Sequence, residues 1–419
     1  MAEGTSVARG VIRGGSTALL VLTGINLFNY LDRWVVAAVA ESIKQSELHL
    51  SDTELGSLAT GMLIVYTLAA PLFGRLGDTR GRPRLLAFGV ALWSAATALG
   101  GLARSFAGLF LARAAVGVGE AAYGSISPSL LADYFPRERR GRVFAVFFAA
   151  IPVGSALGYV VGGLMDHFFG WRRAFFVAGV PGLLLAALAL ALYDPPRGHS
   201  DAAPQSAVPG TRDVFAALGR NRRYMHTVLG YAAYTFALGG IAYWMPAFLE
   251  RIRGVPKVQA TAQFGAIVVA TGLAGTALGG WLGDRLLRRT PAAYLWVSGL
   301  ATLVAAPLML ASLIATTPLA YWTSVVVAEL LLFMSTGPVN SEIVNAVSPQ
   351  VRATAMAASI FTIHAIGDVP SPLLVGMIAD ASTLARGVLI LPAAALAGGA
   401  IWTYAAVQEG RRAGLVGNM

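Results

Sequence analysis

Three ionisable residues, Asp32, Arg113 and Glu120, lie inside stretches that are otherwise apolar. Arg113 and Glu120 belong to the string ARAAVGVGEAAY at 112–123, within an apolar run from about 109 to 132. Such a run can cross a bilayer, which needs roughly 20 apolar residues, and each charge near its centre costs about 2.5–3.5 kcal/mol. At about 100° per residue, a spacing of seven returns both side chains to one helix face, about 10 Å apart. Lipid cannot solvate that face, so it has to look into a bundle interior or a watery cavity. The chemistry open to these groups is proton and anion binding. A carboxylate in apolar surroundings can be neutralised by a proton, whereas arginine keeps its charge and can grip an anion bidentately. Asp32 and Glu120 are therefore expected to titrate as a pair, with Arg113 as the fixed cation. On a purely structural reading Asp32 would be half of a buried ion pair with Arg33 or Arg113.

The elements that position these groups follow from composition and periodicity. The 419 residues are 56% hydrophobic and 12% charged, against about 25% charged in a soluble domain, which marks a multi-pass membrane protein. With no cysteine there is no disulfide framework, thiolate metal site or cysteine nucleophile. Spans are predicted at 16–40, 54–74, 83–103, 106–134, 143–165 and 173–193. Six more follow at 224–250, 261–283, 291–315, 319–347, 352–379 and 386–407. Between the sixth and seventh, 194–223 is rich in Pro, Gly, Ser and Arg and reads as a solvated linker. The organisation is thus a six-helix half at 1–193, a linker at 194–223 and a six-helix half at 224–419.

Most of the 31 lysines and arginines fall on the side that holds both termini and the linker, which places both termini in the cytoplasm. Residues 1–15 read as a cytoplasmic tail and not as a signal peptide. The formal charge of +10 is accordingly a topology signal, and no nucleic-acid partner is expected.

The halves also repeat each other. GRLGDTRGRPR at 74–84 follows the second span and GGWLGDRLLRR at 279–289 follows the eighth, so Gly74/Asp78 recurs as Gly280/Asp284. An aspartate followed by arginines at a helix end can bind a neighbouring helix terminus in one conformation and release it in another. Gly74, Asp78, Gly81, Arg82, Arg142, Asp284, Arg285 and Glu342 are the expected latch; a tight basic loop that merely sets topology is the structural alternative. Gly154, Gly158 and Gly162 step by four through the fifth span and let two helices touch.

These features together resemble the Major Facilitator Superfamily over essentially the whole chain. The strings NYLDR (29–33), RAAVGVGEAAY (113–123), AIPVGSALGY (150–159), GWRRAFF (170–176) and HAIGDVPSP (364–372) look like its Spinster branch. The resemblance implies an all-α fold of twelve transmembrane helices in two pseudo-symmetric bundles. It also implies proton-linked alternating access, with a lysolipid or sphingoid phosphate as cargo and Asp32, Arg113 and Glu120 in the coupling. A proton-coupled multidrug or organic-anion exporter is the alternative.

Tyr30, Tyr123, Glu329, His364 and Asp368 are expected to join Arg113 and Glu120 around the cargo. His364 and Asp368 stand four apart on one helix face and could relay a proton or form a satisfied structural pair. No metal-ligand spacing, phosphate loop or nucleophile constellation is present, so no enzyme and no cofactor beyond the coupling proton is expected. The expected setting is a monomer among membrane lipids, in a bacterial inner membrane.

Overall fold

A computed structural model describes residues 14–135, 137–196, 211–347 and 352–416, and its regular elements are all helices. The first half comprises α1 (Gly15–Gln45), α2 (Asp52–Thr79), α3 (Arg82–Gly100), α4 (Phe106–Tyr134), α5 (Arg137–Phe169) and α6 (Trp171–Leu190). A short α7 (Thr211–Arg220) precedes α8 (Arg222–Arg251), α9 (Lys257–Leu287) and α10 (Ala293–Ile314). The tenth span is broken into α11 (Pro318–Phe333) and α12 (Thr336–Asn345). The eleventh consists of α13 (Arg352–Ile363), a π-turn at His364–Asp368 and α14 (Pro370–Ala381), and the last is a single turn, α15 (Leu384–Gly387), followed by α16 (Ile390–Val416).

Local sequence explains where these helices begin. Ser51 and Glu54 form a capping box at the start of α2, Ser105 caps α4, and Asn221 caps α8, each satisfying donors that a helix start leaves unpaired. Gly170, with φ of 83°, makes the reversal between α5 and α6, a conformation that disfavours any residue with a Cβ. Eleven helical spans among the described residues are long and apolar enough to cross a membrane. The remaining one, α1, is 31 residues long, and its middle holds Asn26, Asn29, Asp32 and Arg33. The linker expected at 194–223 is partly helical. Val214 and Leu218 of α7 are buried against Tyr224, Ile343 and Ala355, so the segment closes over the base of the second half.

Contacts recur between the halves in the same pattern. In the first half α1 lies on α5, α2 on α4 and α3 on α6; in the second, α8 lies on the eleventh span, α9 on α11 and α10 on α16. The main contacts between halves are α5 with α9, α2 with α14 and α1 with α8. A single apolar core runs through both halves at the end remote from the termini, where Val35, Ala38 and Leu58 join Trp244, Phe248 and Val375. The Gly154–Gly158–Gly162 stripe faces α1, where a Cβ on Gly158 would meet the Leu31 carbonyl. Gly158→Leu should therefore overpack the α1–α5 crossing and cost about 3 kcal/mol, read as a lowered melting temperature in detergent beside an unchanged exposed control, Gly410→Ala.

Candidate functional site

Asp32, Arg33, Arg113 and Glu120 sort into two pairs. Arg113 Nη1 on α4 lies 3.3 Å from Asp32 Oδ1 on α1, and Thr97 on α3 donates its hydroxyl to the other Asp32 oxygen at 2.7 Å. Arg33 Nη2 lies 2.5 Å from Glu120 Oε2. Two adjacent residues of α1 thus reach two residues of α4 that stand seven apart. Helical side chains lean toward their own N-terminus, so Arg33 reaches back along α1 to Glu120 while Asp32 meets Arg113 across the crossing. Both readings of Asp32 put it inside the bundle, and its partner is Arg113.

The two arginines differ in access. Arg113 has a side-chain exposure of 3% and its second amino group rests on the Met62 sulfur, whereas Arg33 has 19%. Arg33 also lies over the rings of Tyr30 and Tyr66, 5.2 and 5.5 Å from their centroids, a geometry that favours a cation. Glu120 keeps one buried oxygen, Oε1, without a hydrogen bond. Arg33 is therefore the more accessible of the two cations on the space between the halves. The sequence offered Arg33 only as a possible ion-pair partner of Asp32, not as a binding residue. Its signal was the double charge at 32–33, which requires two partners where only one was sought.

Arg33, Arg113, Tyr30 and Met62 line a cavity of about 420 Å³ between the halves, and Tyr231, Tyr243, His364 and Asp368 line it from the other side. His364 Nδ1 sits 2.9 Å from Asp368 Oδ1, and its ring lies edge-on to Tyr66 at 6.0 Å. Sharing Tyr30, Trp34, Ile151, Leu238, Ala242 and Thr336, a second and larger cavity of about 790 Å³ adjoins it. Its walls are Tyr159, Phe264, Val268 and Phe333, with Glu329 among them. Glu329 is 4% exposed, and neither a hydrogen bond nor an ion pair ties it to another described residue.

Tyr123 is the correction. Its hydroxyl donates to the Leu22 carbonyl at 2.7 Å and its ring stands edge-on to Trp93, so it belongs to the core of the first half and lines neither cavity.

The expected latch is unequal in its two copies. Arg82 is 2% exposed and binds Asp133 at 2.5 Å, Asp194 at 2.7 Å and the Pro195 carbonyl at 2.5 Å, joining α3, α4 and the segment after α6. In the other copy Asp284 accepts, among the described residues, only the Tyr294 hydroxyl, at 2.9 Å, and Arg285 lies exposed over Trp281. The tie in the second half is instead Glu342, fully buried and bound by Arg223. Gly74 and Gly81 have open space where a side chain would go, so close helix approach does not explain them. The side chains of Asp78 and Arg142 lie outside the described part of the structure.

Two bundles of six helices with a paired-charge site and a cavity between them define a class, and the Major Facilitator Superfamily pattern matches residues 22–372. The chain belongs to that superfamily. Within it, the chain is 34% identical over 371 residues to Protein spinster of Drosophila melanogaster, covering 86% of this chain and 61% of that protein. It is 36% identical over 407 residues to human Protein spinster homolog 1, covering 90% and 76%. It therefore falls in the Spinster branch, although it spans less than two thirds of the Drosophila protein's length. The fold also matches the crystal structure of a bacterial homolog of the human lysosomal transporter Spinster, in an inward-facing and unoccupied conformation. That match has a TM-score of 0.85 and 25% identity, and covers 96% of this chain and 98% of the other.

Proposed function

We propose that this protein is a proton-coupled secondary transporter that works by alternating access on an amphiphile with an anionic head, of the lysolipid or sphingoid-phosphate type. The observation that carries the reading is the pair of joined cavities, one presenting Arg33 and the other walled by aromatic and aliphatic side chains. A charged head would sit at Arg33 and the chain would lie in the apolar space. With the arginine-rich end in the cytoplasm, the core shared by the two halves closes the outer side and the cavities face inward. We place the protein in a bacterial inner membrane, acting as a monomer.

Coupling follows from the pairs. A proton on Glu120 removes the charge that holds Arg33, which leaves Arg33 free for the head of the cargo. A proton on Asp32 likewise loosens Arg113 from α1. Binding of cargo and proton are then positively linked, each favouring the other by the same factor. A proton-coupled exporter of drugs is the second reading, favoured by Glu329, an unpaired carboxylate in an apolar cavity that suits a cationic cargo.

The test is proton movement in proteoliposomes under an imposed pH gradient, with lysophospholipid, sphingosine phosphate or a cationic drug added. Asp32→Asn and Glu120→Gln run beside the unmodified protein. Lysolipid-dependent proton flux that both variants lose supports the first reading. Flux that needs the drug supports the second, and lysolipid transport that ignores pH in all three proteins overturns the coupling.

A further inference from the structure

Among the described residues, the main contacts of the eleventh span with the first half run from its π-turn outward. Its outer piece, α14, lies along α2, whereas its inner piece, α13, contacts α8, α12 and the π-turn. At the π-turn the Thr60 hydroxyl of α2 donates to the Val369 carbonyl at 2.5 Å. One turn farther, a Cβ on Gly56 would strike the Pro372 carbonyl, and beyond that one on Gly376 would strike the Asp52 carbonyl. At the tip, Asp380 accepts the backbone N–H groups of Asp52 and Thr53 at 2.8 and 2.7 Å, together with the Thr53 hydroxyl at 2.5 Å.

Those two N–H groups belong to the first turn of α2, whose third donor, Glu54 N–H, is taken by Ser51 of the same half. The start of α2 is thus capped partly by its own sequence and partly by a carboxylate from the other half. A carboxylate at a helix start gains from the aligned peptide dipoles as well as from the hydrogen bonds. The surrounding charges hold the same seam. Arg251 of α8 reaches Glu41 and Asp52 at 2.7 Å each and Lys257 of α9 reaches Asp166 at 2.9 Å, while Lys44, of the same half as Asp52, reaches it at 2.8 Å.

The π-turn is where the span can bend. A single π-turn shifts the hydrogen-bond register of a helix, and the prolines at 370 and 372 supply no N–H to resist the change. His364 and Asp368, the two ends of this turn, line the smaller cavity opposite Arg33.

We propose that Asp380 is the positioning residue that holds the outer face shut by capping α2 across the two halves, with α14 swinging about the His364–Asp368 turn when it lets go. The inference rests on the alternating-access reading above and names the residue that sets its outer-closed state. Opening the outer face hands the N–H groups of Asp52 and Thr53 to water and leaves the Ser51–Glu54 box intact, so α2 keeps its start in both states.

The chain has no cysteine, so Gln45→Cys and Ser382→Cys can carry a pair of nitroxide labels without background. Distances between them are measured by pulsed paramagnetic resonance in lipid nanodiscs, for the otherwise unmodified protein and for Asp380→Ala, Asp380→Glu and the same-face control Glu47→Ala. Asp380→Ala should raise the ratio of long to short distances by about tenfold, the change expected from losing charge-assisted hydrogen bonds. Asp380→Glu should restore most of the short population, and Glu47→Ala should leave the ratio alone. An unchanged ratio in Asp380→Ala overturns the proposal, as does an equal rise in Glu47→Ala, which would mark general loosening. Because distances are read without cargo, a rise in Asp380→Ala supports the catch even if the proteoliposomes show no flux. Flux with an unchanged ratio removes the catch and leaves the transport reading standing.

Discussion

Arg113→Ala should destabilise the folded protein by about 3–5 kcal/mol, because it strands the Asp32 carboxylate in the bundle with Thr97 as its remaining partner. Asp32 is fully buried and Arg113 nearly so, which leaves little water to take over the role of the guanidinium. Asp32→Asn in the same background should recover most of the loss, since the amide carries no charge to strand. The measurement is a double-mutant cycle on thermal or denaturant unfolding in detergent, where contacting residues couple by roughly 0.5–3 kcal/mol. A single-variant effect within about 0.5 kcal/mol, the range of an ordinary surface change, would mean that Arg113 and Asp32 do not form the pair described.

Arg33→Ala should weaken binding of an anionic amphiphile by about 100-fold, within the 2–5 kcal/mol typical of truncating one partner of a buried charge contact. Arg33→Lys should retain part of the affinity, because the charge survives while the two-pronged geometry is lost. Glu120→Gln has the opposite sign. It removes the competitor that occupies Arg33, so affinity for the anionic cargo should rise toward its low-pH value and lose the part of its pH dependence that Glu120 supplies. Titration calorimetry with lysophosphatidic acid, repeated across pH for each variant, reads all three effects. Equal affinity in Arg33→Ala and the unmodified protein would remove Arg33 from the binding site.

These expectations show where sequence was sufficient and where it was not. The long apolar runs announced the spans because backbone hydrogen bonds in lipid must be satisfied within a helix. Charges at Asp32, Arg113 and Glu120 announced a polar interior because lipid cannot carry them. The seven-residue spacing on α4 was enough to place Arg113 and Glu120 together against α1. Nothing local said that Asp32 would take Arg113 and leave Glu120 to Arg33, because that choice depends on how far α1 is rotated against α4. The same rotation put Tyr123 in the core beside Trp93 and left Tyr30 in both cavities.

The repeat was equally legible and equally incomplete. Gly74/Asp78 and Gly280/Asp284 are visible as strings, yet only the first copy carries a deeply buried arginine at its helix start. Arg82 finds Asp133 and Asp194, while Arg285 stays at the surface and no described carboxylate pairs with it. The tie in the second half moved to Glu342 and Arg223, whose separation of 119 residues gives no pattern to read.

What the sequence determined by itself is the class of molecule: long helical spans, nearly all of them apolar, halves that repeat, and charges in a bilayer that demand partners, all consequences of hydrophobic length and desolvation. What only the tertiary structure decided is which partners those charges take, which arginine is the more exposed at the cavity, and that Asp380 caps a helix 327 residues before it. Those choices are made by helix rotation and by contact across the two halves, and neither leaves a period or a motif in the chain.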